Sequence, residues 1–291
     1  MASNRSIDPA RPSEQYRRPE ECDEPSALLI LSNNEKRIDL FSTAGLQRTD
    51  KMSPASIEAY MNGFYGYGSW KHPLWFIGME EGGCPKLKDF EKRVNVWTQR
   101  GGRELEDARS YHKAIREDRW FRKGARLQPT LQPTWGKLIR VYLSLHQQPT
   151  DTESVRQFQI NHFGNSESAF ASLELFPLPS VDRHSWIYSP IKDLPYLASK
   201  EQYKSFMYPK RAKVLRQRIR LHQPKHVVCY GKDYYAEWEG LVENTLVATR
   251  LDKVFETKLD KTVVLVTPHP VWRAAPQDYW CEVGKLLKER S

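Results

Sequence analysis

Pro73-Leu74-Trp75-Phe76-Ile77-Gly78-Met79-Glu80-Glu81-Gly82-Gly83 decides how the rest of the chain is read. The apolar run from Pro73 to Ile77 is too short for a helix and suits a strand buried on both faces. The glycines read as turns, first at Gly78 and again at Gly82-Gly83, with two carboxylates between them. In open α/β sheets ligands bind just past the carboxyl ends of the strands, so Glu80 and Glu81 stand where a substrate would sit. Adjacent side chains point in different directions, so one of the two faces the pocket. A carboxylate there can activate water or stabilise a developing cation.

Three other stretches bear on the same chemistry. A late strand, about Thr262 to Val266, runs into Thr267-Pro268-His269-Pro270-Val271-Trp272-Arg273. A histidine framed by prolines at a strand end can donate a hydrogen bond to charge developing on a leaving group. Glu174 lies inside the apolar strand Ala169 to Phe176, which the sequence breaks at Pro177 and Pro179. A charge in a buried strand is costly, so Glu174 is either paired or functional. The loop Gly63-Phe64-Tyr65-Gly66-Tyr67-Gly68-Ser69-Trp70 feeds the opening strand, and one of its rings can stack on a planar ligand.

Helices are expected from Pro54 through Phe64 with Ser53 as N-cap, and from about Arg103 to Trp120. Further helices are expected over Thr134 to His146, Thr152 to Phe163, Lys210 to Leu221, Asp233 to Leu241 and Pro276 to Lys288. Strands are expected at His226 to Gly231 and Leu246 to Arg250. Strands separated by helices imply a parallel sheet with helices on both faces. Residues 1–26 carry no apolar periodicity and read as a mobile arm ahead of a single domain over 27–291.

The formal charge of +9 favours an anionic partner, and nucleic acid is the commonest. The helix from Lys210 carries six basic residues, including Lys210 and Arg211, and is either a solvated face or a surface that follows phosphates. No apolar run approaches the ~20 residues of a membrane span. The first residues lack the apolar core of a signal peptide, so a cytoplasmic protein is expected. Cys22, Cys84, Cys229 and Cys281 form no Cys-x-x-Cys pair, which gives zinc and iron–sulfur centres no support. Two other classes remain open at this stage. One is a metal-dependent nuclease using Glu80, Glu81 and a distant aspartate; the other is a non-catalytic nucleic-acid binder.

Taken together, these motifs resemble the uracil-DNA glycosylase superfamily. In that superfamily a strand-end glycine is followed two positions later by Asp or Asn, and Gly78-Met79-Glu80-Glu81-Gly82 is similar, with Glu80 in the water-activating position. Pro268-His269-Pro270-Val271-Trp272-Arg273 resembles its late His-Pro motif and wedge loop, and Glu174 falls where a strand residue reads the pyrimidine edge. The resemblance implies a three-layer α/β/α domain around a central, mostly parallel four-stranded sheet. It implies a monomeric DNA glycosylase that flips out a base, needs no metal or cofactor and leaves an abasic site. Glu80 and His269 would be catalytic; Gly78, Met79, Glu81, Glu174, Tyr65 and Tyr67 would line the base pocket. Trp272 or Arg273 would be the wedge, and Lys210 and Arg211 would meet the DNA backbone. Glu80 is longer than the family's Asp or Asn, and Glu81 replaces a proline, which points away from plain uracil. An ionised Glu174 would accept hydrogen bonds and suit an exocyclic amino group. Some bacterial members excise glucosylated hydroxymethylcytosine in anti-phage defence, and the departures place this chain beside them.

Overall fold

A computed structural model describes residues 52–291 apart from 123–128, 168, 183 and 277, with the side chain of 232 also outside the description. The expected arm at 1–26 and the expected domain start at 27 lie outside the described residues. In chain order the elements are α1 (Pro54–Gly63), β1 (Gly66–Tyr67), β2 (Leu74–Gly82), α2 (Leu87–Gln99), β3 (Leu105–Glu106), α3 (Ala108–Ala114), α4 (Pro133–Leu145), α5 (Thr152–Asn161) and β4 (Ala171–Ser180). There follow α6 (Lys200–His222), β5 (His226–Tyr230), α7 (Tyr235–Val242), β6 (Val247–Ala248), β7 (Phe255–Leu259), β8 (Thr262–Thr267) and α8 (Tyr279–Glu289). Side-chain caps start several helices: Ser53 accepts the Ser56 N–H ahead of α1, and Asp151 accepts those of Glu153 and Ser154 ahead of α5.

One mixed sheet of eight strands runs β3-β1-β4-β2-β5-β8-β7-β6. The expectation of a four-stranded sheet is therefore corrected. The four central strands β4, β2, β5 and β8 are mutually parallel, and antiparallel pairs β1–β4, β8–β7 and β7–β6 extend them outward. Most of the added strands are two residues long, too short for a period-two pattern to declare them. The helices fall into two packed sets, α4 with α5 and α8, and α6 with α7 and β4; α1 packs on β4 and α2. Among the described residues no helix is long and apolar enough to cross a membrane.

Two local expectations about strand ends fail. Gly78 does not turn the chain: β2 continues through Glu80 and Glu81 to Gly82. Nor do Pro177 and Pro179 end β4, which runs on to Ser180. The prolines lack N–H donors, and it is beside them that the β2–β4 register shifts, from Glu80 opposite Phe176 to Gly82 opposite Ser180. Both strands therefore run further than the sequence indicated, β4 buried throughout and β2 becoming exposed from Glu80 to Gly82.

Among the four central strands the first in sequence, β2, lies between the second, β4, and the third, β5. The chain leaves β2 for one neighbour and later returns to pair on its other side. Such a reversal opens a crevice at the carboxyl ends of the strands beside it.

Candidate active site at the carboxyl ends of the central strands

Gly78 is the meeting point of three strands. It lies in register with Glu174 on β4. A Cβ at Gly78 would fall 2.3 Å from the Tyr230 hydroxyl oxygen and 2.5 Å from Glu174 Oε2, so only glycine leaves room for both. Tyr230 ends β5, and its hydroxyl donates to Glu174 Oε1 over a long 3.4 Å. The Tyr230 ring meets His269, just past β8, edge-on at 5.8 Å between centroids. The His269 Nδ1 accepts the Val271 N–H at 3.3 Å, which leaves the ring proton on Nε2. His269 is exposed, yet partial desolvation of the ring holds its pKa below the ordinary 6.5, which favours a neutral donor at pH 7.

The two adjacent glutamates diverge. Glu80 is ion-paired with Lys200 at the start of α6, and its Oε2 stands 3.9 Å from Lys204 Nζ. That second oxygen lies beyond hydrogen-bond distance of Lys204 and keeps an acceptor site for water. Lys200 is buried and also donates to Ser180 Oγ at 3.2 Å and to the Asp182 carbonyl at 3.0 Å, so its ammonium is held by three acceptors. Glu81 turns instead to Arg93 at 2.7 Å and accepts the Tyr67 hydroxyl at 2.9 Å, with His112 Nε2 at 3.6 Å. Burial alone would raise the Glu81 carboxyl, but the Arg93 guanidinium, helped by His112 and Tyr67, holds its pKa at about 2. Glu81 is thus a permanent carboxylate inside a structural cluster.

Glu174 is the electrostatic anomaly. Burial pushes its carboxyl well above the ordinary 4.5, and the charges of Glu81 and Glu80 push the same way. Arg211 pulls the other way but less strongly, the carboxyl makes no ion pair among the described residues, and its Oε2 is buried without a hydrogen-bond partner among them, all of which disfavours the ionised form expected from the sequence.

The remaining expected site residues divide clearly. Met79 is buried beside Gly231, with its Cγ 3.8 Å from where a Cβ on that glycine would lie. Tyr65 and Tyr67 are not open platforms: both are buried, Tyr65 under the Arg211 guanidinium at 3.5 Å and Tyr67 against Tyr111 and His112. Arg211 cannot touch a phosphate, because it is 1% exposed and donates to the carbonyls of Leu175, Glu174 and Met61. Lys210 is exposed and lies over the Phe206 ring at 3.6 Å, but ten residues along α6 put it ~15 Å from Lys200. Further along α6, Arg216, Arg218 and Arg220 pair with Glu243, Glu104 and Asp260, so much of the basic run is neutralised locally. Trp272 is half-buried, edge-on to Tyr279 and covered by Lys253 at 4.1 Å, which removes it as a wedge. Arg273 and Val271 are exposed in that loop, as is His269, with Val271 at 50%.

Sequence reasoning missed Lys200, Tyr230 and Arg93. Each had a signal. A lysine at the first position of a helix opposes the helix dipole and calls for an acidic partner. Tyr230 is the last side chain of a strand whose end was already of interest. Arg93 shares a helical face with Phe90, Val94 and Trp97, which marks a buried charge. No protein-family model matches the chain, and no curated protein matches it in sequence.

Proposed function

We propose that the chain is a monofunctional DNA glycosylase, which hydrolyses the N-glycosidic bond of a flipped-out modified pyrimidine and leaves an abasic site. One observation carries this reading: Glu174, midway along β4, and His269, just past β8, are linked through Tyr230 beside Gly78, two residues before Glu80 on β2. The +9 charge suits a DNA partner, and the resemblance of these motifs to the uracil-DNA glycosylase superfamily names the same chemistry. A sheet with four parallel central strands and two helix sets is compatible with the three-layer arrangement of that family. The enzyme would act as a monomer in the cytoplasm, and bases modified in phage DNA, such as glucosylated hydroxymethylcytosine, are the substrates proposed.

The geometry supports a simple division of labour. Rotating the nucleotide out of the stack costs a few kcal/mol, and the exposed Val271 and Arg273 are placed to fill the space it leaves. Lys200 holds Glu80 in one orientation, with Oε2 available to water. As the bond breaks, the sugar becomes cationic beside the Glu80 carboxylate, and the departing base gathers negative charge beside the neutral His269 donor.

The nuclease reading requires Glu80 and Glu81 to share one cation, whereas they turn to Lys200 and Arg93. A purely binding role leaves the buried Glu174 carboxyl, whose Oε2 has no partner among the described residues, without a purpose. The test uses DNA carrying uracil, unmodified cytosine or glucosylated hydroxymethylcytosine, scored for alkali-sensitive sites. Glu80→Gln and His269→Ala should retain DNA binding and each lose excision by about a hundredfold or more. Wild-type rates in both variants would remove them from the chemistry.

A further inference from the structure

The Glu174 carboxyl makes no ion pair among the described residues, and the nearby Arg211 charge favours its ionised form less than Glu81 and Glu80 oppose it. Arg211, on α6, turns its guanidinium to the backbone carbonyls of Met61, Glu174 and Leu175. Arg93, on α2, is committed to Glu81 and Glu117, and Lys200 to Glu80. Glu80 and Glu81, on β2, contribute only negative charge, and Tyr230, on β5, contributes a neutral hydroxyl. That hydroxyl donates to Oε1, so Oε1 serves as the carbonyl and a carboxyl proton falls on the unpartnered Oε2 beside Gly78. Oε2 is closed to solvent, so a base edge can reach it only if the side chains around it move; the Tyr230 hydroxyl's tie to the carboxyl is a long one.

We propose that Glu174 enters the reaction as a neutral carboxylic acid and is the general acid that protonates ring nitrogen N3 of a cytosine-type base as the base departs. The proposal rests on the glycosylase reading and specifies its substrate class. A carboxylic acid presents an O–H donor beside a C=O acceptor. A cytosine-type edge presents the complement, N3 as acceptor and the 4-amino group as donor. A uracil-type edge can also pair with the acid, but its N3 already carries a proton and can take none. In the step itself the C1′–N1 bond breaks and its electron pair passes to the base. The Oε2 proton moves to N3, so the base leaves as a neutral tautomer and not as an anion. Water adds to C1′, and the proton it loses goes to Glu80. Return of that proton from Glu80 to Glu174 through solvent resets the site, with one water consumed per base released.

Glu174→Gln retains a donor and an acceptor but has no proton to give. In single-turnover assays on hydroxymethylcytosine and glucosylated hydroxymethylcytosine DNA, the variant should bind as the wild type does. Its excision should be slower by about a hundredfold or more, the range of general acid catalysis. The wild-type rate should also fall at high pH, and the variant should lack that fall. Infrared difference spectra at pH 7 should show a protonated-carboxyl band in the wild type that is missing from Glu174→Gln. Wild-type excision by the variant, or no such band, overturns the proposal while leaving the glycosylase reading intact. Release of no base by the wild-type protein from any of these DNAs overturns both.

Discussion

Replacing Glu174 by glutamine should stabilise the protein, and by an amount that grows with pH. Glutamine keeps the shape of the side chain and an oxygen for the Tyr230 hydroxyl, while removing a group that the fold burdens. The folded carboxyl has a raised pKa, so above the ordinary value of 4.5 the unfolded chain releases its proton while the folded chain keeps it. Stability then changes with pH in proportion to protons bound unfolded minus protons bound folded, here minus one. Wild-type stability should fall by about 1.4 kcal/mol per pH unit in that window, and the variant has no such loss at this position. The two proteins should be close below the ordinary carboxyl pKa of 4.5, and the variant should gain on the wild type as pH rises above it. Urea unfolding at four pH values across this range measures the difference directly. A constant difference would mean that Glu174 titrates in the folded protein as it does in the unfolded chain. A variant that loses ground as pH rises would mean that the fold stabilises the carboxylate, and either result would refute the reasoning. A residue that costs stability where it stands is also the kind expected at a functional site.

Gly78→Ala should cost about 1–3 kcal/mol, because the new methyl meets the Tyr230 hydroxyl and Glu174 Oε2. Gly82→Ala, which meets nothing within 4 Å, should be nearly neutral in the same melting experiment. Arg93→Met leaves Glu81 a buried carboxylate without its cation and should cost about 3–5 kcal/mol. The stability that the Glu81 pair supplies is present above pH 4.5 and lost as pH falls through about 2, so the variant should unfold at a distinctly higher pH than the wild type in an acid titration followed by tryptophan fluorescence. Lys200→Met frees the Glu80 carboxylate to wander and should slow excision by about tenfold or more with DNA affinity little changed, while Lys200→Arg recovers part of the rate.

The strand from Leu74 and the capped helices were legible because each follows from local rules: an apolar run, a serine or aspartate before a helix, a proline at its first position. What local rules could not supply is visible at three places. Gly78 was read as a turn because glycine usually permits one, but here it is required by two side chains from other strands. Pro177 and Pro179 were read as strand ends, but their missing donors fall where the ladder is already shifting register. The polar stretch after Gly83 hid α2, whose inward face holds Arg93 among apolar residues; its burial makes sense only once Glu81 is seen opposite. The site divides in the same way. Glu80 and His269 were legible as polar groups at strand ends, and Glu174 as a charge inside an apolar strand. The fates of Tyr65, Tyr67 and Arg211 were not, since a ring or a guanidinium is open or buried according to partners that the sequence does not name.

The central claim is that this crevice breaks the bond between base and sugar and leaves the strand whole. Mass analysis of the small product released from glucosylated hydroxymethylcytosine DNA, beside the length of the remaining strand, tests it most directly. The account predicts a free modified base, an unbroken strand carrying an abasic site, and loss of both products in Glu80→Gln. Release of a nucleotide with a shortened strand, or of nothing at all, would contradict it.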